Sequence, residues 1–175
     1  MKKPHQLVLM AAAVLVLAGC SATTNSAGPA TPSAAKTQSP TPTPTPTQMP
    51  VEEAGTYYLS IVCPANAASQ ANANAYVAQD LASIQATAAA ARDAFQTQVK
   101  QFTDPMKIWP DTVAADIKTL VDSDYQSISL FDQVSRAQSL DAVNAVVFPA
   151  DNAGAAAQRI RVNLGLSADT SVGCS

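Results

Sequence analysis

Histidine is almost absent from this chain: a single one, His5, lies close to the N-terminus. Ser-His-Asp and Cys-His catalysis and His-based zinc sites all need imidazole groups. The chain also lacks a Gly-rich phosphate-binding loop and a Cys-x-x-Cys redox motif. These absences predict a protein that is not an enzyme and that holds no metal and no cofactor through its side chains.

Glycine and basic residues are also few. The sequence has 6 glycines, and no segment shows sustained strand alternation or the turn chemistry of a hairpin, which argues against a β fold. Its 10 basic residues face 13 acidic ones, for a net charge of −3. Phosphate backbones are bound by clusters of Lys and Arg, so nucleic acid is not an expected partner.

The N-terminus has the parts of a secretory signal peptide. Lys2 and Lys3 precede an apolar run from Leu7 to Ala18, and small residues follow it. The run holds 12 residues, whereas a permanent membrane-spanning helix needs roughly 20. We therefore expect residues 1–19 to be a signal peptide and the rest of the chain to lie outside the cytoplasm. Removing this segment removes His5 and leaves a net charge of −5.

The residues around the expected cleavage site, Leu17-Ala18-Gly19-Cys20, resemble the lipobox of bacterial lipoproteins. The resemblance implies that the chain is cut before Cys20 and that the Cys20 thiol carries a diacylglycerol. Two acyl chains anchor a protein stably, whereas one chain binds only marginally. The implied location is the extracytoplasmic face of the cell membrane, and the membrane is the implied partner through this lipid anchor.

Residues 20–50 have the composition of a tether. After Cys20 they are rich in Ser, Thr and Pro, with Thr-Pro alternation at 41–47. Their apolar content is too low to offset the entropy of ordering, which predicts disorder with polyproline II character. A spacer is the simpler interpretation, and O-glycosylation of the Thr and Ser residues is the alternative.

The remaining cysteines, Cys63 and Cys174, are predicted to form a disulfide. A cysteine pair outside the cytoplasm is more often bridged than free. The bridge would pin the C-terminal tail to the end of the first helix and would supplement a core rich in alanine. A redox-active pair is the alternative.

Residues 51–175 are predicted to be one all-α domain, an antiparallel bundle of about four helices. The first helix runs from Glu52 to Val62, where Pro64 interrupts it, and the state of residues 64–76 stays open. The second has an apolar stripe from Val77 to Phe102 and ends at Asp104–Pro105. The stripe of the third, which begins at Pro110–Asp111, includes Val113, Ile117, Leu120, Val121, Tyr125, Ile128, Phe131 and Val134.

The last part of the predicted bundle is broken by a proline. A helix capped by Ser139 carries Leu140, Val143 and Val147 inward and meets Pro149. It resumes through Ala157, Ile160 and Leu164, and Gly165 caps its end. Pairs at Lys118–Asp122 and Asp132–Arg136 are spaced to meet on the wet face of the third helix.

Candidate contact residues are few. Trp109, the only tryptophan, could anchor a ligand or cap one end of the bundle. Tyr57 and Tyr58 are adjacent, so one of them must face outward. Arg159 and Arg161 could hold an acidic ligand. The "DSD" at 122–124 is interpreted as a solvated helix face rather than as a calcium site, because it lacks the turn glycine and the later glutamate of a calcium loop.

The leading functional interpretation is a membrane-anchored lipoprotein with a small non-catalytic binding or scaffolding domain, whose partner is an envelope protein or a cell-wall ligand. The domain resembles uncharacterised lipoproteins of high-GC Gram-positive bacteria in its Ala-rich composition, Thr-Pro stalk and paired cysteines. One alternative is a receptor or sensor for a sugar, peptide or lipid, which predicts a sizeable apolar cavity near Trp109. Another is an envelope hydrolase, which predicts two carboxylates facing across a groove.

Overall fold

The computed structural model describes residues 46–150, 153–170 and 172–174, and the regular secondary structure of this part of the chain consists of helices joined by loops. Its elements are α1 (Val51–Ala78), α2 (Leu81–Phe102), α3 (Asp111–Ser135), the short α4 (Leu140–Asn144) and α5 (Ala153–Asn163). No strand occurs among these residues. The prediction of an all-α bundle of about four helices is confirmed. The predicted signal peptide, Cys20 and residues 21–45 of the predicted tether lie outside the described residues.

Side-chain contacts show that neighbouring long helices run antiparallel. Tyr57 and Asn72 of α1 bond to Gln101 and Ile84 of α2, so the order is reversed along the pair. Arg92 and Gln98 of α2 meet Asp132 and Asp124 of α3 in the same reversed order. Arg159 of α5 pairs with Asp116 of α3, and Asn163 donates to the Thr112 carbonyl. The bundle is therefore built from α1–α2, α2–α3 and α3–α5 contacts.

α1 runs through Pro64, so the predicted interruption after Val62 is wrong and residues 64–76 are helical. A proline inside a helix removes one backbone hydrogen bond and costs about 3 kcal/mol relative to Ala. Burial on both sides of it offsets that cost: Ile61 and Val62 precede Pro64, and Ala65 follows it. Farther along, the buried Asn72 side chain donates to the Ile84 carbonyl and so ties α1 to α2.

A sharp junction separates α1 from α2. Gln79 adopts a left-handed conformation (φ 55°) and ends α1, and the Asp80 side chain then caps α2 by accepting from the Ser83 N–H at 3.0 Å. Hydrogen bonding to Ser83, first through its side chain and second through its backbone N–H, lowers the pKa of the Asp80 carboxyl. Val77, predicted to begin the inward stripe of the second helix, belongs to α1 instead and is 85 % exposed. The buried stripe of α2 begins at Ile84.

The rest of the helix prediction holds in most places. α2 ends close to Asp104–Pro105, and α3 starts at Asp111. The ion pairs Lys118–Asp122 and Asp132–Arg136 form as predicted. Tyr125, predicted to face inward, is 58 % exposed, because the packed face of α3 turns toward α2 and α5 at Ser123 and Asp124 instead.

Capping signals near the C-terminus are also confirmed. Ser139 caps α4 by accepting from the Ala142 N–H, and Gly165 follows α5 with a positive φ of 68°. Val143 is buried, but Val147, predicted to face inward, is 74 % exposed. The reason is that α4 ends at Asn144, so Val147 lies in the extended segment before Pro149 and not on a helix face.

The packed body begins before α1. Met49 is buried, and its N–H donates to the Ile108 carbonyl at 2.9 Å. The Gln48 side chain donates to the Trp109 carbonyl and to Asp111. These last residues of the predicted tether are therefore fixed to the loop between α2 and α3, because Met49 supplies apolar area that the loop can bury.

The core divides into two clusters along the bundle. One surrounds Trp109 and includes Tyr58, Phe102, Val113 and Ile160. The other surrounds Phe131, with members that include Ile84, Ala88, Val134 and Val143. On α2 the buried residues of the cluster around Phe131 end at Ala91, and those of the cluster around Trp109 start at Val99. On α3 the buried residues of the cluster around Trp109 end at Val121, and those of the cluster around Phe131 start at Phe131. The stretches between these limits are where polar groups enter the interior.

Candidate functional site

A cleft of about 810 Å³ lies at the level where the two core clusters separate. α1, α2, α3 and α5 contribute to its walls, together with residues of the C-terminal tail. This volume falls within the range of small-molecule sites in proteins. Apolar walls come from Val62, Phe95 and Leu120. Neutral polar side chains line it as well, among them Asn66, Ser69, Gln70 and Ser127.

A buried pair, Gln98 and Asp124, lines the cleft from α2 and α3. Both side chains are nearly inaccessible, with 6 % and 5 % exposure. Gln98 Nε2 donates to Asp124 Oδ2 at 2.8 Å. Because a carboxylate can only accept, this bond sets the orientation of the Gln98 amide and directs its Nε2 toward Asp124.

The Gln98 Oε1 atom is left without a partner. Among the buried side-chain oxygen and nitrogen atoms of the described residues, Gln98 Oε1 is the one that makes no hydrogen bond. An unsatisfied buried acceptor costs about 1–3 kcal/mol, and native interiors tolerate few of them. The unpartnered acceptor is itself buried, so it is a local cost of the packing beside the cleft.

Tyr58 and Arg161 complete the polar part of the lining. Burial is the main cause that raises the pKa of Tyr58 to about 12; the Arg161 charge lowers it and the Asp124 charge raises it. The Tyr58 hydroxyl thus lies in the fields of two opposite charges and stays neutral over the physiological range. Of the adjacent pair Tyr57 and Tyr58, Tyr58 is the buried residue, with 2 % exposure.

Arg161 is buried and holds the C-terminal tail. Its guanidinium donates to the carbonyls of Ser167, Asp169 and Val172, the last two at 2.8 and 2.9 Å. The predicted acidic ligand is therefore replaced at Arg161 by backbone oxygens of the chain itself. Arg159 is separate from it and forms an ion pair with Asp116. The structure does not bring the two arginines together on one site.

The two cysteines predicted to pair lie at disulfide distance. The Sγ atoms of Cys63 and Cys174 are 1.98 Å apart, and the Cα atoms are 5.2 Å apart. Both residues line the cleft. Since α1 continues to Ala78, Cys63 lies near the middle of α1, so the tail is joined beside the cleft and not at a helix end.

Trp109 is a buried member of the first core cluster, and Tyr57 packs against that cluster. Neither residue belongs to the cleft lining. The buried Trp109 indole donates to the Phe102 carbonyl at 3.1 Å. Tyr57 stacks on Trp109 at 5.6 Å between ring centroids, and its hydroxyl donates to the Gln101 carbonyl. The cleft is therefore not the apolar cavity near Trp109 that the receptor alternative predicted, because neither Trp109 nor Tyr57 belongs to its lining.

The interpretation of residues 122–124 as a solvated face is wrong in part. Asp122 is exposed and pairs with Lys118, but Ser123 and Asp124 are buried. Gln98 was missed altogether. Gln98 adjoins the core residue Val99 and Asp124 lies three residues after Val121, but nothing in the local sequence shows that the two side chains are buried and meet each other.

The described residues contain no cluster of three or more His, Cys, Asp or Glu side chains that could hold a metal ion. In the cleft lining Asp124 is the one carboxylate, so these residues do not form the two-carboxylate arrangement of the hydrolase alternative. Of the described helices, none is both long enough and apolar enough to cross a membrane.

Comparison of the chain with protein-family models, with curated proteins and with solved structures finds no match.

Proposed function

We propose that this protein is a lipid-anchored, extracytoplasmic binding protein, and that its helical domain receives a small molecule in the cleft between α1, α2, α3 and α5 without transforming it. The observation that carries the proposal is the cleft itself, which has a volume of about 810 Å³ and is lined by apolar walls and by polar side chains from several helices. Clefts of this size, with apolar walls and a few polar groups, are typical of small-molecule sites.

Rigid surroundings support a binding role. Gln98 is held by Asp124, and the Asn72 hydrogen bond ties α1 to α2. Arg161 and the Cys63–Cys174 pair fix the C-terminal tail beside the cleft. Such a site needs little ordering when it binds, so more of the interaction free energy appears as affinity.

The anchor is the second half of the proposal. The lipobox resemblance at Cys20 and the Ser/Thr/Pro-rich residues that follow support a domain held at the membrane on a spacer. Replacing Cys20 by Ala should release the protein from the membrane fraction into the medium, as measured by fractionation and immunoblotting. Retention of Cys20→Ala in the membrane fraction would contradict the anchor.

Native mass spectrometry tests the binding function. Protein isolated from the cells that produce it should carry a non-covalent adduct in addition to the lipidated chain. Ala73 is exposed and lines the cleft, so Ala73→Trp should fill the opening and abolish the adduct. Ala90→Trp, the same change at an exposed position outside the cleft lining, should retain it. No adduct on the unchanged protein, or equal adduct on both variants, would contradict the proposal.

A scaffolding role is the second candidate, and one surface favours it. Tyr125, Val147 and Phe148 are exposed large side chains, and Tyr125, Val147 and Pro149 line a shallow depression. Adjacent apolar side chains on a surface are typical of a protein contact. A photo-crosslinking amino acid in place of Val147 should capture one envelope protein on intact cells, whereas the same amino acid in place of Ala90 should not.

A further inference from the structure

We propose that the end of the chain is a strap on the cleft, and that the Cys63–Cys174 pair is a redox-controlled clasp for it. The tail strap is defined as residues 167–170 and 172–174. With the pair oxidised, the strap is bonded to α1. When a dithiol reductant opens the pair, the strap is free to move away from α1 and the ligand of the cleft exchanges faster. The inference rests on the proposed binding function and adds its regulation.

The tail strap forms part of the cleft wall. Thr170 and Cys174 belong to the lining, together with Cys63 and Asn66 of α1. The bond between Cys63 and Cys174 joins these two parts of the wall, with 5.2 Å between the Cα atoms. Moving the strap away from α1 therefore widens the cleft without any change in the packing of α1, α2 and α3.

The root of the tail strap is packed, but the strap itself is not. Leu164 is buried in the cluster around Trp109. Leu166 packs against the same cluster, and its N–H donates to the Arg161 carbonyl at 2.8 Å. Beyond Leu166, every described residue is exposed. Burial of apolar side chains thus fixes the root and not the strap, and segments with few buried apolar contacts open at a low free-energy cost.

Two attachments of different kinds close the tail strap. The Arg161 guanidinium donates to the carbonyls of Asp169 and Val172 at 2.8 and 2.9 Å, and such bonds break and re-form. The Cys63–Cys174 bond is covalent and does not open by thermal motion. Without it the strap rests in the closed position, because opening leaves the buried guanidinium without these partners. The covalent bond therefore turns a reversible closure into a locked one.

The exposure of the pair suits exchange with a dithiol. Cys174 is exposed and Cys63 is half-buried, which makes Cys174 the residue open to attack. A thiolate of the reductant bonds to Cys174 Sγ, the bond between the two Sγ atoms breaks, and Cys63 leaves as a thiolate. The second thiol of the reductant then attacks its own sulfur in the mixed disulfide and releases Cys174. Two electrons and two protons pass to the pair, and the reductant ends as a disulfide.

Hydrogen exchange followed by mass spectrometry tests the tail strap on the full chain, with dithiothreitol as the dithiol. Alkylation of the folded protein should first show that Cys63 and Cys174 react after reduction and not before it. Reduction should then speed amide exchange in the strap by about tenfold or more, while α2 and α3 stay protected over the same times. Cys63→Ser/Cys174→Ser should show the fast strap exchange with and without dithiothreitol.

A second variant separates the clasp from the polar attachment. Arg161→Lys keeps the positive charge but loses the planar fork that binds several carbonyls together. In the oxidised variant the clasp still holds, so exchange in the strap should stay slow. In the reduced variant it should exceed that of the reduced unchanged protein. Thermal melting of the oxidised variant checks that the fold is retained.

Release of the ligand links the tail strap to the cleft. The non-covalent adduct expected on the isolated protein should dissociate about tenfold faster after reduction, as measured by native mass spectrometry at intervals after dilution. The double cysteine variant should release it at the fast rate in either condition.

Three results overturn the inference: cysteines that dithiothreitol does not reduce in the folded protein, equal strap exchange in the two redox states, and adduct release at the same rate in both. The last result leaves the proposed binding function standing, because the adduct is still present. Absence of any adduct overturns the binding function and, with it, the role of the strap as a gate. Exchange in the strap then still decides whether the cysteine pair acts as its clasp.

Discussion

Removing the Cys63–Cys174 link should lower the free energy of unfolding by an amount that follows from the length of the loop it closes. The two residues are 111 positions apart, so the link closes almost the whole helical domain into one loop. In the chain-entropy treatment, a loop of about 100 residues restricts the unfolded chain by an amount equivalent to about 4.7 kcal/mol at 25 °C, and native bridges usually contribute about 2–4 kcal/mol.

The native state should change little without the link. Arg161 still binds the backbone carbonyls of Ser167, Asp169 and Val172, so the tail stays in place. The loss of stability should then come mainly from the unfolded state. We expect the Cys63→Ser/Cys174→Ser variant to lose about 2–4 kcal/mol, which corresponds to a fall in Tm of roughly 8–16 °C for a domain of this size.

Urea unfolding followed by circular dichroism, with and without reductant, measures this effect. The unchanged protein in reductant should reproduce the double variant, and the variant should not respond to reductant. The m-value should also rise in the variant, because its unfolded chain is more expanded and exposes more surface. A stability within about 0.5 kcal/mol of the unchanged protein, with an unchanged m-value, would show that the link does not act through the unfolded state.

Other predictions concern single groups. Trp109→Phe removes the indole N–H that binds the last carbonyl of α2 and should cost about 1–2 kcal/mol in urea unfolding; a cost near zero would mean that this bond contributes no stability. Gly173→Ala should cost about 1–2 kcal/mol, since its φ is +91° and a Cβ would lie 2.9 Å from Leu59 Cδ1; Gly154→Ala, with open space around it, is the matched control. The pKa of Tyr58 is raised to about 12 in the folded protein. The contribution of Tyr58 to the free energy of unfolding should therefore be complete below the unfolded-chain pKa of about 10 and should disappear as the pH rises toward 12. Tyr58→Phe should flatten that part of the stability curve, and an unchanged slope would contradict the assignment.

Interior polar residues mark the limit of prediction from periodicity. Gln98 adjoins Val99 and Asp124 lies three residues after Val121, so each looks like an ordinary interruption of an apolar stripe. Both are buried only because α2 and α3 pack antiparallel in the register that brings them to 2.8 Å. Register between distant helices depends on the whole packed interface, which no local spacing specifies.

Local sequence signals predicted the features whose causes lie within a few residues: most of the amphipathic stripes of α2 and α3, the Ser139 cap, the end of α5 at Gly165 and the pairing of Lys118 with Asp122. These features depend on contacts three or four positions apart or on the backbone freedom of one residue.

Three other features depend on long-range packing: α1 continues through Pro64, Arg161 binds the tail, and Gln98 and Asp124 line a cleft. Each of these outcomes depends on burial, and burial is a property of elements far apart in the chain. The local cost of Pro64 is offset by the packing of the residues around it, and the local polarity of Gln98 and Asp124 is offset by their contact across two helices.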